Sequence, residues 1–294
     1  MTYMEKGMGQ HCRVCNSKIS RELFTIERDR FMVCGDCTHV FLDVTYDDDS
    51  IKKLYEDYGD ERARAYFQGI DSETRENIDL FLKRCHSYCP TPKDTLRLLD
   101  VGCGTGTLLK GAQKLGFAVE GVEICEPLAR DTAEHVGCRV HEEVLSRVNF
   151  DREQFDVITL YDVIEHLQEP LRDLRVLYDT LKPGGVLFIL CPNEGALIRK
   201  LSKLVFTLSL STCSKPLRLL YYQDHLSYFT RKSLLTMVKQ LGLEVLSLET
   251  RNQELSRLDL SRVQKSLLRI LFFISGCFSN AGGKFVVYAR KPFF

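Results

Sequence analysis

From Thr95 onward the chain repeats one rhythm: a short apolar run, then apolar residues at helical spacing, then a glycine or proline. Leu96 to Val101 reads as a short buried strand. Leu108, Leu109, Ala112 and Leu115 follow at helical spacing, and Gly116 stops them. Phe117 to Glu123 predicts the next strand. Pro127 to His135 predicts a helix with proline near its first turn and Gly137 behind it. Arg139 to His141 predicts a short third strand, Phe155 to Tyr161 a fourth and, after a helix over Pro170 to Leu181, Val186 to Cys191 a fifth. Thr230 is placed to cap a helix running to Gln240, and Leu243 to Leu248 and Phe285 to Ala289 predict the last two strands. Such alternation predicts an α/β fold, a mostly parallel sheet covered by helices on both faces.

Upstream the pattern changes. Residues 1–45 are punctuated by cysteines and predict a small zinc-ribbon-like module. Residues 46–94 are acidic, rich in tyrosine and helical, with Ile78, Phe81 and Leu82 on one face, and Thr91 to Asp94 reads as a linker. Residues 95–294 form the main domain, interrupted by insertions at 194–224 and 250–283 that are longer than ordinary connections. Inside them, 201–210 and 267–278 are unusually apolar and too short to span a bilayer. They are expected to pack on each other as a hydrophobic lid over a substrate pocket. Flanking Lys200, Lys203, Lys215, Arg218, Arg262, Lys265 and Arg269 keep a homodimer interface or shallow peripheral membrane contact as alternatives.

Composition narrows the partners. Forty basic residues balance forty acidic ones, so no general attraction to nucleic acid is expected. Met1 to Gln10 lacks the apolar core of a signal peptide, which points to a cytoplasmic protein. In a reducing compartment, twelve cysteines are better explained by metal binding or burial than by disulfides.

The chemistry begins at Asp100-Val101-Gly102-Cys103-Gly104-Thr105-Gly106, between a predicted strand and a predicted helix. Glycines let the backbone approach a ligand closely, and the helix start suits an anionic group. Glu123 ends the following strand, where a carboxylate can accept ribose hydroxyls. The G-x-G-x-G spacing differs from the G-x-G-x-x-G of dinucleotide sites.

Phe155 to Leu167, then Leu181-Lys182-Pro183-Gly184-Gly185 and Cys191-Pro192-Asn193, complete a set that resembles class I S-adenosylmethionine-dependent methyltransferases of the small-molecule type. The resemblance covers residues 95–294 and implies a Rossmann-like seven-stranded sheet of order 3-2-1-4-5-7-6 with one strand antiparallel. It implies that Asp100, Gly102, Cys103, Gly104 and Gly106 wrap the methionine part of S-adenosylmethionine and that Glu123 holds its ribose. By the same resemblance Tyr161 and Asp162 border the sulfonium and the acceptor entrance.

Asp162, Glu165 and His166 follow the fourth strand and form a candidate divalent-metal patch. Ubiquinone O-methyltransferases look similar there, with E-x-x-E-H where this chain has D-x-x-E-H. The favoured reading is that Glu165 and His166 cap and orient the loop without metal. His225, in Asp224-His225-Leu226-Ser227-Tyr228-Phe229, resembles the segment that closes the pocket in the family and is a candidate general base. Tyr161 and His166 are the other catalytic candidates.

Cys12-x-x-Cys15 and Cys34-x-x-Cys37 have the spacing of a closed, structural zinc site, with Ile19 to Val33 between them as a hairpin. Sugar C-methyltransferases and some ribosomal RNA methyltransferases also carry an N-terminal zinc module. Residues 1–45 hold six acidic residues among their basic ones, and the fourth strand ends in Tyr161-Asp162 without the motif common in nucleic-acid N-methylating enzymes. A small-molecule acceptor, methylated at oxygen or carbon, is therefore expected ahead of RNA. A protein that binds cofactor but catalyses nothing is the third reading.

Overall fold

The computed structural model describes residues 11–57, 72–90, 95–221, 224–252 and 281–293. The linker expected at 91–94 and the apolar stretch 267–278 lie outside them.

Strands β1 (Ser20–Ile26) and β2 (Asp29–Cys34) form the expected hairpin between the cysteine pairs, and β3 (Val40–Leu42) adds to β2. Helices α1 (Asp48–Asp57) and α2 (Ser72–Tyr88) follow. Helix α2 seats Ile78, Phe81, Leu82 and Cys85 in the core beneath the large sheet. The alternating region then runs β4 (Arg97–Val101), α3 (Thr107–Lys114), β5 (Ala118–Val122), α4 (Glu126–Val136), β6 (Arg139–His141), β7 (Phe155–Tyr161), α5 (Pro170–Thr180) and β8 (Leu181–Pro192). After it come α6 (Leu197–Leu208), the single turn α7 (Lys215–Arg218), β9 (Ser227–Tyr228), α8 (Arg231–Gln240), β10 (Glu244–Arg251) and β11 (Lys284–Arg290).

The large sheet has seven strands in the order β6-β5-β4-β7-β8-β11-β10. Pairs among β4 to β8 are parallel, and β11 is antiparallel to both its neighbours. This is the Rossmann-like order 3-2-1-4-5-7-6 that the resemblance implies. Central strands are apolar on both faces because helices cover both. Leu99, Val101, Ile158 and Leu160 enter one core, while Leu98 and Val157 enter the other. Strand β8 begins five residues before its apolar run, at Leu181, because Leu181 already pairs with Phe155 and the glycine turn Gly184-Gly185 sits within the strand as an irregularity. A boundary drawn at glycines misses this.

A second sheet has the order β1-β2-β3-β9. Val40 pairs with Tyr228 and Phe41 with Ser227, so the cysteine module shares a sheet with the segment that follows His225. Phe24, Phe31, Leu42, Phe206, Leu217, Tyr221 and Tyr228 form a third core across this junction. Phe31 meets Phe24, Tyr221 and Tyr228 at ring-centroid distances of 5.0, 5.4 and 5.8 Å. Module and main domain are thus joined by backbone pairing and by an aromatic core.

Helix α6 covers most of the apolar stretch 201–210, but its orientation is unexpected. It buries Arg199, Ser202 and Phe206 and leaves Leu201, Leu204 and Leu208 exposed, Leu208 at 74%. Among the described residues no helix is long and apolar enough to cross a membrane.

Candidate active site

At the end of β4 the chain turns through Gly102, Gly104 and Gly106, all with positive φ. A side chain at Gly102 would place its first carbon 2.5 Å from the Val163 methyl, so the tight turn admits only glycine. Glu123, at the end of β5, is 8% exposed. Its carboxylate accepts from the amides of Gly104 at 2.9 Å and Cys125 at 3.0 Å. The acidic residue therefore pins the middle of the glycine loop as well as ending its strand. Asp100 is buried beside it and accepts from the Thr159 hydroxyl at 2.6 Å. Burial pushes the Asp100 carboxyl up to about 7, against the Thr159 hydrogen bond.

Cys103 is turned inward. Its amide bonds the Val122 carbonyl at 3.0 Å, and its thiol packs on Gly121, where any side-chain carbon would lie 2.7 Å from Sγ. Its place in the expected cofactor-binding set thus has no amide or thiol directed to the open side of the loop.

A second cluster is built at the ends of β7 and β8. Asp162 follows Tyr161 in a left-handed conformation, φ 55°. Its carboxylate accepts twice from Lys284 Nζ, at 2.6 and 2.8 Å, and that ammonium lies 5.9 Å from the Tyr161 ring centroid. Lys284 escapes a reading of the sequence because it opens the last strand, far away in the chain. Only the insertion of β11 beside β8 sets it opposite Pro192 and beside Asp162.

Ile164 to His166 form one tight 3-10 turn. Glu165 is 1% exposed, and burial together with Asp162 raises its carboxyl to about 8. His166 Nδ1 lies 3.0 Å from the Asp224 carbonyl oxygen. A carbonyl only accepts, so Nδ1 carries the proton and the neutral ring keeps its lone pair on Nε2. The His225 ring stands edge-on to His166, centroids 4.6 Å apart, and burial holds it well below the usual imidazole range. Donor atoms of Glu165, His166 and His225 all lie within 4.8 Å of one another. Two histidines 59 positions apart in the chain thus meet. The three-residue patch expected at Asp162, Glu165 and His166 is rearranged: Asp162 is engaged by Lys284, and His225 joins the other two.

The cysteine quartet also closes. Cys12 Sγ lies 3.4 Å from Cys37 Sγ and Cys15 Sγ 3.5 Å from Cys34 Sγ, with all four within 4.8 Å. Four thiolates around a zinc ion at about 2.3 Å are about 3.8 Å apart, so the donor set fits that ion. The Cys37 hydrogen bond pushes the Cys12 thiol down to about 5.

Residues 69–248, more than half of the chain, match the family model described as a methyltransferase domain. The chain belongs to the S-adenosylmethionine-dependent methyltransferase family. A ubiquinone biosynthesis O-methyltransferase of Ruegeria pomeroyi is 41% identical over 99 residues, 31% of this methyltransferase and 39% of the relative. Its counterpart in Caulobacter vibrioides is 35% identical over 112 residues, covering 35% and 43%. The match spans less than half the length of these relatives. The structure of a SAM-dependent methyltransferase from Archaeoglobus fulgidus superposes with a TM-score of 0.50 at 19% identity, covering 74% of this chain and 94% of that one, and shows the shared fold.

Two predictions follow from the glycine loop and the carboxylates beside it. Glu123→Ala removes an acceptor and frees the Gly104 amide. Calorimetry should show S-adenosylhomocysteine affinity falling by roughly 1–3 kcal/mol; unchanged affinity would remove Glu123 from the site. The second concerns pH. The raised Asp100 carboxyl makes the folded, ligand-free chain hold a proton that the unfolded chain releases near 3.8. Its stabilising contribution is complete below about pH 4 and is lost as pH rises through about 7, on the order of 1 kcal/mol per unit. Asp100→Asn, which still accepts from Thr159, should gain thermal stability over the native chain across that window. A stability difference independent of pH would contradict the assignment.

Proposed function

We propose that this methyltransferase transfers the methyl group of S-adenosylmethionine to a small molecule bearing an oxygen or carbon nucleophile, and that a hydroxyl is its acceptor group. The observation carrying this reading is the convergence of two constellations at one end of the sheet. Asp100, the glycine loop and Glu123 stand at the ends of β4 and β5. Tyr161, Asp162, Glu165, His166 and, from β11, Lys284 stand at the ends of their neighbours. In open α/β sheets ligands bind beyond the strand ends at such a crevice. The hydroxyl reading is supported by the O-methyltransferase relatives over the matched third of the chain.

S-adenosylmethionine, when bound, supplies an electrophilic methyl on a sulfonium. The chain's own part is to hold and to deprotonate. Glu123 and the glycine loop hold the donor's ribose and methionine portions. Tyr161 borders the acceptor. An acceptor hydroxyl gives its proton to the Nε2 lone pair that the Asp224 carbonyl fixes on His166, and His225 packs against that ring to limit its rotation. Lys284, held by Asp162, supplies positive charge toward the oxygen as its proton leaves. Holding both reactants in line provides much of the remaining acceleration. A divalent ion on Glu165, His166 and His225 is the second reading, favoured by the closeness of their donor atoms.

His166→Gln keeps a polar group but no base. With radiolabelled donor and a panel of phenolic and sugar acceptors, its kcat should fall 10²- to 10⁴-fold while S-adenosylhomocysteine binding is unchanged. A small loss would exclude His166 as the base. A native activity that disappears on mild chelation and returns with magnesium would favour the metal reading.

We further propose that Cys12, Cys15, Cys34 and Cys37 hold a structural zinc ion. Metal analysis of untagged protein should give one zinc per chain, lost in Cys34→Ser/Cys37→Ser. A fully folded, metal-free native chain would refute it. The balanced net charge supports a small molecule over RNA. The intact donor site supports an active enzyme over a silent homologue.

A further inference from the structure

The cysteine module is in contact with the acceptor side of the site. Arg13, between Cys12 and Cys15, is 6% exposed. Its guanidinium donates to the Leu42 carbonyl at 3.1 Å, to the Val44 carbonyl, and to the Leu226 carbonyl at 3.4 Å. Leu226 directly follows His225. Its own amide bonds the carbonyl of Glu165 at 2.8 Å, and its carbonyl also takes the Leu42 amide at 3.1 Å. Beyond it, Ser227 and Tyr228 pair with Phe41 and Val40. The Thr38 hydroxyl, one residue after Cys37, lies 2.7 Å from the hydroxyl of Thr230, which caps α8. Residues 226–230 are therefore held from the module by Arg13, by the Leu42 amide and the β3–β9 pairs, and by Thr38, and among these described contacts the Arg13 fork is the one that starts inside a cysteine knuckle.

We propose that Arg13 is a positioning residue: it couples the metal-held Cys12–Cys15 knuckle to the segment carrying His225, and so sets the His166–His225 pair without touching the donor site. A planar guanidinium suits this task. It stays charged when buried and presents several N–H groups in a fixed fork, so one side chain can bond carbonyls of two strands. The coupling rests on the methyltransferase reading for its function, but its physical content is local order. The donor site lies on other strands, and Glu123 and Gly104 share no hydrogen bond with the module among those described.

The test uses full-length, zinc-loaded protein carrying Arg13→Met or Arg13→Lys. Zinc content, calorimetric binding of S-adenosylhomocysteine, amide hydrogen exchange and nitrogen NMR of the histidine rings are measured. In Arg13→Met, zinc should remain at one per chain and S-adenosylhomocysteine affinity within twofold. The amides of 226–228 should exchange at least tenfold faster, and the His166 and His225 ring signals should move toward those of free imidazole. Arg13→Lys, which reaches fewer carbonyls, should fall between. Unchanged exchange and ring signals with zinc retained would overturn the proposal. So would acceleration spread evenly over β4, β5 and β7, or loss of zinc in both variants, since Arg13 would then serve the fold at large. A native protein that fails to bind S-adenosylhomocysteine would instead overturn the methyltransferase function and leave the exchange result to judge the coupling.

Discussion

The pairing of β3 with the two residues of β9 is the contact on which the segment carrying His225 depends. Strand β3 is buried along its whole length, and a buried strand edge with no partner would leave its N–H and C=O groups unsatisfied. Ser227 and Tyr228 provide that partner. The same short segment touches the large sheet, where Phe229 bridges Asn193 at the exit of β8. One stretch of five residues, 226–230, thus joins two sheets, starts α8 and carries the residue after His225. The four clustered cysteines precede β3 in the chain. Through β3 their module is tied to the segment that follows His225.

Within that site, burial decides the charges. Two acidic residues three positions apart, Asp162 and Glu165, cannot both be taken from water without compensation. Asp162 has Lys284 within hydrogen-bond distance on both oxygens. Glu165, almost wholly buried, is raised to about 8 and holds its proton at neutral pH. His225 is pushed the other way and stays uncharged. An imidazole that is neutral at working pH can receive a proton, and a protonated one cannot. One ion pair, Asp162 with Lys284, thus sits among groups that burial keeps neutral.

The parallel sheet and the glycine loop were legible because each rests on a local pattern. The glycine loop is a contiguous string, and Glu123 lies at the end of the next apolar run. The cap at Thr230 is likewise written at the start of its helix, and the structure adds Ser233 as its reciprocal partner. Cys12, Cys15, Cys34 and Cys37 were legible by spacing. What was hidden depends on contacts between distant parts of the chain. Lys284 reaches Asp162 only because β11 inserts antiparallel beside β8. His225 meets His166 only because β9 leaves the main domain to pair with β3. Arg13 is, in the sequence, one of several basic residues among the first 45.

Helix α6 shows how a charged group outside a helix can set the helix's rotation. Its sequence suggests that the leucines face the protein and the basic residues face water. The observed helix buries Arg199, half-buries Lys203 and leaves Leu201, Leu204 and Leu208 exposed, and the reason is Glu194. That carboxylate is buried at the exit of β8, where it needs donors. Tyr221 gives its hydroxyl at 2.6 Å, Lys203 its ammonium at 2.7 Å, and Arg199 approaches at 3.5 Å while lying over the Tyr221 and Tyr228 rings. Leaving a buried carboxylate without these partners would cost several kcal/mol. Turning three leucines outward forfeits roughly 1.5–3 kcal/mol for each fully exposed side chain, and Leu201 and Leu204 remain about half covered, at 41% and 52% exposure. The two costs are of similar size, so satisfying the charge can set the helix's rotation. Hydropathy cannot foresee this, because the deciding group lies outside the helix.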